Sequence, residues 1–118
     1  MPGIKGHENQ IAINRQLLRD FNTGKLTANF YDWRVTVAFY IAVHLVEKVL
    51  YKECKVNSSN HTDRKNFIKS NPCLREIRSD YQQLYQMSRK ARYECSSISS
   101  SEYKDAIQLM NEIEKKLS

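Results

Sequence analysis

Two short groups of residues have the types and spacing for chemistry on a phosphate. His61 and Arg64 stand three positions apart, so on a helix they share a face. A histidine can move a proton near neutral pH, and an arginine can hold a phosphate as charge builds on it. That pair is the minimal set for metal-independent cleavage of RNA, with the histidine acting on the 2′-hydroxyl. Asp63 lies between the two and offers Arg64 or Lys65 an ordinary ion pair, so a purely structural role stands beside the catalytic one. The second group is Arg89, Lys90, Arg92 and Tyr93. Arg89 and Arg92 share a helix face, where two guanidiniums can grip a phosphate bidentately. Tyr85 and Tyr93 can stack on an unpaired base, although cations at a helix C-terminus are also favourable through the dipole alone. The candidate catalytic residues are therefore His61 and Arg64, and the candidate anion- or RNA-binding residues are Arg64, Lys65, Arg89, Arg92 and Tyr93.

A third group lies on one stripe, with Tyr40, His44, Glu47 and Tyr51 at steps of four, three and four. His44 and Glu47 fit a base and its orienting carboxylate, which would raise the histidine pKa. They fit better a buried polar pair in which His44 hydrogen-bonds to Glu47 or to a tyrosine and only satisfies buried polarity. Cys54, Cys73 and Cys95 are about twenty residues apart, without a CxxC pair. A Cys54, His61 and Cys73 set lacks the local ligand pairs that structural zinc uses. No metal and no cofactor are expected, and three reduced thiols point to the cytoplasm. Glycine-rich phosphate loops, GxSxG and HExxH are absent from the sequence.

These groups need elements to hold them, and the 118 residues, with 3 glycines, 2 prolines and 41% hydrophobic residues, fit one packed domain. Residues 1–6 read as a loose start. Ile11, Asn14, Leu17, Leu18 and Phe21 give a helical period over His7 to Phe21, and Gly24 suits a C-terminal cap. The second helix, from about Phe30 to Cys54, is apolar on nearly every side and must lie at the centre. Its longest apolar run, Val35 to Val46, is interrupted by His44 and is short of the roughly 20 residues a membrane span needs. No secretory leader is read either.

A short helix is predicted over Thr62 to Lys69, capped by Asn60 or Thr62. Asn71-Pro72 marks a new start, followed by a heptad-like pattern through Leu74, Ile77, Tyr81, Leu84, Ser88, Ala91 and Cys95. Ser99 and Glu102 form a capping box for the last helix, whose apolar face is Tyr103, Ala106, Ile107, Met110, Ile113 and Leu117. The expected fold is all-α, an antiparallel up-and-down bundle of four long helices and one short one.

Charge is concentrated in the middle of this chain. From Lys48 to Arg92 there are eleven Lys/Arg against four Asp/Glu, within a net charge of +6. A basic middle favours a phosphate-rich partner, although a solvated cationic face has the same composition.

The order of these features resembles the HEPN superfamily of small prokaryotic helical domains. Its marks are Ala38 and Ala42 with Glu47-Lys48 on the central helix, His61 near the start of the next, Ala91-Arg92-Tyr93, and Glu102-Tyr103-Lys104-Asp105-Ala106 on a capped last helix. The resemblance spans roughly residues 30 to 117. It implies a helical bundle, commonly a homodimer, in proteins tied to RNA cleavage, toxin–antitoxin pairs, antiviral defence or partnership with nucleotidyltransferases. Active members carry an arginine, four to six residues, then a histidine. None of His7, His44 and His61 has an arginine at that distance, so the family's catalytic pair does not carry over. The leading expectation is an RNA- or nucleotide-binding HEPN-like protein. The alternatives are a non-catalytic module that docks a protein such as an antitoxin or nucleotidyltransferase, and a metal-independent endoribonuclease.

Overall fold

The structure, a computed structural model, describes residues 3–22, 30–93 and 98–118. It contains α1 (Ile4–Asn22), α2 (Tyr31–Cys54), α3 (His61–Ser70), a 3₁₀ turn at Pro72–Ile77 that runs directly into α4 (Arg78–Tyr93), and α5 (Ser100–Leu117). Contacts between the ends fix the directions. Glu8 near the start of α1 pairs with Lys48 near the end of α2 at 3.0 Å, while the Phe21 ring at the end of α1 faces Arg34. Tyr40 on α2 meets Arg92 on α4, and α4 binds α5 through Asp80–Lys116 and Lys90–Glu102. Successive long helices thus alternate in direction. The fold is an all-α bundle of four long helices and one short one, and no strand occurs among the described residues.

The apolar sequence of α2 dictates its place. Val35, Ala38, Phe39, Ile41, Ala42, Val46 and Leu50 point around the whole axis and are all sealed from solvent. Only a helix flanked on several sides can bury them, and α2 packs against α1, α4 and α5. Along the 3₁₀ turn and α4 the heptad-like positions face inward: Leu74, Ile77, Tyr81, Leu84 and Ser88 are buried and Ala91 is half-buried, while Cys95 lies outside the described residues. Beside the small Ser88 lies the Arg92 guanidinium, which donates to the Ser88 hydroxyl and carbonyl at 3.1 and 3.2 Å. No helix among the described residues is long and apolar enough to cross a membrane.

The helix starts follow the caps. Asn60 accepts from the Asp63 N–H, Asn71 from that of Cys73 ahead of Pro72, and Ser99 and Glu102 close a reciprocal capping box. The expected cap at Gly24 lies outside the described residues. Two boundaries differ from expectation. The first helix begins at Ile4 rather than His7, because the buried His7 is tied to α2 and its N–H bonds the Gly3 carbonyl; residues 4–6 are therefore helical, not loose. The helix expected from Pro72 opens as a 3₁₀ turn. Arg78 there donates to the carbonyls of Ile68 and Lys69 at the end of α3, groups with no partner within their own helix. Lys55 closes α2 in the left-handed region (φ 56°), where glycine is usual.

Leu84→Ala should lower stability by about 3 kcal/mol through the cavity it leaves, and Ser99→Ala by about 1 kcal/mol through loss of the cap. Urea denaturation followed by circular dichroism measures both.

Candidate functional site

Glu47 is one turn below the middle of the apolar α2 and is almost completely buried. A carboxylate there must find donors or lose its charge. The chain leaving α2 turns back over it, so that the Ser58 N–H donates to Glu47 Oε2 at 3.0 Å and Arg64 Nε, from the first turn of α3, donates to Oε1 at 2.8 Å. Burial pushes the Glu47 pKa up, but Ser58 and the Arg64 guanidinium outweigh it and hold the carboxyl below its ordinary value. The Ser58 hydroxyl is itself buried without a well-formed hydrogen bond. Burial likewise opposes the charge of Arg64, yet neighbouring Tyr81 and Glu47 keep its pKa raised. The ion pair is therefore charged and fixed.

The same guanidinium reaches His61, with Arg64 Nη1 3.0 Å from His61 Nδ1. Arginine can only donate, so Nδ1 accepts and the proton of a neutral His61 ring resides on Nε2. The ring packs against Phe39 at 5.9 Å and Tyr85 at 5.7 Å between centroids. Burial lowers its pKa first, and Arg64, Arg92 and Arg89 lower it further. What the ring offers a ligand is thus an Nε2–H donor in a cationic field. It opens on a small cleft of about 120 Å³ shared with Thr62, Lys65, Tyr81, Gln82 and Tyr85.

Around this centre the candidate residues take different positions. Lys65 and Arg89 are exposed, with Arg89 3.3 Å from the Tyr85 hydroxyl. Arg92 is half-buried and braced by Ser88 and by the Tyr40 hydroxyl at 3.1 Å, and its guanidinium lies 5.6 Å over the Phe39 ring. His61, Lys65, Arg89 and Arg92 therefore converge. Arg64 converges with them from beneath: only 9% exposed, it is held by Glu47 and His61, so it positions the histidine and is poorly placed to grip a phosphate. The Tyr93 side chain lies outside the described residues.

His44 is not part of this centre. The expected His44–Glu47 hydrogen bond does not form, because Glu47 is committed to Arg64 and Ser58. His44 Nδ1 instead meets His7 Nδ1 at 2.9 Å, and His7 Nε2 meets Asn57 Oδ1 at 3.2 Å. With neutral rings both contacts are satisfied, His7 donating to Asn57 and accepting from His44. Burial, His7 and Arg64 lower the His44 pKa, against a smaller opposing effect of Glu47. Tyr40, His44 and Glu47 of the stripe thus serve separate partners on α4, α1 and α3.

Sequence reasoning missed Tyr81, Phe39, Ser58 and His7. Tyr81 alone carried a signal, since a tyrosine at an inward heptad position needs a partner for its hydroxyl. Among the described residues no three His, Cys, Asp or Glu are grouped to hold a metal.

Glu47→Gln should cost roughly 3 kcal/mol in urea denaturation, because it leaves Arg64 buried without its counter-charge. His44 and His61 both have folded pKa values below the ordinary 6.5. Their contribution to stability is present above about pH 6.5 and is lost as pH falls toward the lowered folded values. The melting temperature should hold from pH 8 to 7, then fall below about pH 6.5, with a shallower fall in His44→Gln. No family model, curated protein or solved structure matches the chain.

Proposed function

We propose that the protein is a HEPN-like helical domain that binds single-stranded RNA, or a partner containing nucleotides, through the rim formed by His61, Lys65, Arg89 and Arg92. The observation that carries this reading is the field on His61: three arginines from α3 and α4 surround a histidine held with its proton on Nε2. A phosphate oxygen placed there would accept from Nε2–H and pair with the exposed Lys65 and Arg89. The half-buried His61 and Tyr85 rings pack beside it on the sealed Phe39, and single-stranded nucleic acid commonly binds where cations and aromatic faces adjoin.

The same geometry favours binding over cleavage. A general base needs an unprotonated nitrogen directed at the substrate, which for His61 would be Nε2. Moving the proton to Nδ1 would aim N–H at the Arg64 guanidinium, a donor against a donor. Protonating both nitrogens to make a general acid meets the same repulsion. RNA cleavage therefore stands behind binding as a reading.

A second reading, a protein-interaction module, draws on Ile13 and Leu17. They lie one turn apart on α1 and are 61% and 40% exposed, a small apolar strip suited to a second copy of the chain, an antitoxin or a nucleotidyltransferase.

Fluorescence anisotropy with a labelled single-stranded RNA, repeated from 25 to 300 mM salt, tests the leading reading. Affinity should fall steeply with salt, and Lys65→Ala and Arg89→Ala should each reduce the slope by about one counterion. Total RNA incubated with wild type and with His61→Ala should remain equally intact. Absence of binding at the lowest salt, together with a dimer in light scattering, would transfer the assignment to the interaction module.

A further inference from the structure

Arg92 borders a second cleft that the anion-binding rim does not use. About 370 Å³ in volume, it lies between the start of α2 and the end of α4 and is lined by Asp32, Trp33, Thr36, Tyr40, Ala91 and Arg92. That volume falls within the range of small-ligand sites. Trp33 is 61% exposed and Tyr40 37%, so the cleft presents two aromatic side chains to solvent in place of burying them. From the anchored Arg92 the guanidinium reaches both ways, 5.7 Å over the Tyr40 ring on the cleft side and 5.6 Å over Phe39, which packs on His61.

We propose that this cleft is a guanine pocket, holding the base of a nucleotide whose phosphate lies on the Arg92, Arg89 and His61 side. The proposal rests on the RNA-binding reading of that rim and adds a base preference to it. Trp33 supplies the stacking face. Asp32 supplies the selection. Its carboxylate accepts hydrogen bonds and donates none, and among the described residues no side chain donates to it or pairs with it. The Thr36 hydroxyl donates to the Asp32 backbone carbonyl at 2.9 Å and so does not occupy the carboxylate.

Of the four RNA bases only guanine presents two adjacent N–H donors, N1–H and N2–H, on its Watson–Crick edge. Adenine and cytosine place a ring-nitrogen acceptor beside their amino group, and uracil flanks its single N–H with two carbonyl oxygens. Each of those three would turn at least one lone pair toward the carboxylate. Charge also fixes the orientation of the nucleotide. Asp32 repels a phosphate from the cleft, while the cations beyond Arg92 attract it, so base and phosphate divide on either side of that arginine.

The chain has one tryptophan, and it lies in the proposed pocket, which makes its fluorescence a direct readout. The intact protein is titrated at low salt with GMP, AMP, CMP, UMP and inorganic phosphate. GMP should quench Trp33 with an affinity roughly ten-fold above that of AMP, the discrimination typical of one bidentate base contact. Phosphate alone should leave the fluorescence unchanged. Asp32→Asn, shown to be folded by its melting curve, should bring GMP down to the affinity of AMP. Equal quenching by all four nucleotides, no quenching at millimolar concentration, or a GMP preference that survives in Asp32→Asn would each overturn the proposal. Anisotropy with a labelled RNA lacking guanine separates this failure from that of the underlying reading. Salt-sensitive binding of that RNA without guanine-selective quenching rejects the pocket alone, and no binding of any nucleotide or RNA rejects both.

Discussion

A carboxylate placed inside the central helix is the constraint on which the rest depends. Glu47 occupies a position that an apolar residue would fill at no electrostatic cost, so the surrounding chain must supply its hydrogen bonds. The segment after α2 folds back to deliver the Ser58 amide, and α3 is docked so that Arg64 reaches the second oxygen. That docking in turn determines which nitrogen of His61 accepts and which carries hydrogen. A well-packed apolar substitute for such a pair is often as stable or more so. What the ion pair contributes is position, since it defines where α3 sits on the bundle and how its first residue is oriented.

The scaffold was largely legible from the sequence because its signals are local. The all-round apolar pattern of α2, the inward positions of α4, Asn60, Asn71-Pro72 and the Ser99–Glu102 box each act within a few residues of where they are written, and each appears in the structure. The site was legible only in part. His61, Arg89 and Arg92 were singled out by type and spacing, but their partners are set by contacts across the fold: Tyr40 with Arg92 spans 52 positions, and His7 with His44 spans 37. Helix spacing suggested His44 as the partner of Glu47. The more distant Arg64 took that role because a charge-assisted bond to a permanent cation is stronger than one to a histidine that burial holds neutral. No pattern along the chain encodes that competition.

Arg92 illustrates how one side chain can organise two surfaces. Ser88, small enough to be buried under it, holds the guanidinium through both its hydroxyl and its carbonyl, and Tyr40 holds it from α2. An arginine fixed in this way has already given up much of the rotamer freedom that binding would otherwise remove. The exposed Lys65 keeps more of its own, while Arg89 leans on the Tyr85 hydroxyl. The rim therefore combines a rigid cation with less constrained ones, an arrangement suited to a flexible polyanion.

The slender attachment of α3 has a dynamic meaning. Of its ten residues only Arg64 and Ile68 are buried, and the 3₁₀ turn that follows is its principal packing neighbour. An element held by so few interior contacts has a local opening free energy below that of the whole domain. Opening of α3 would carry His61 and Lys65 away from Arg89 and Arg92 and would break the buried Glu47–Arg64 pair, so that one ion pair sets the cost of the motion. The rim is assembled only while α3 stays docked.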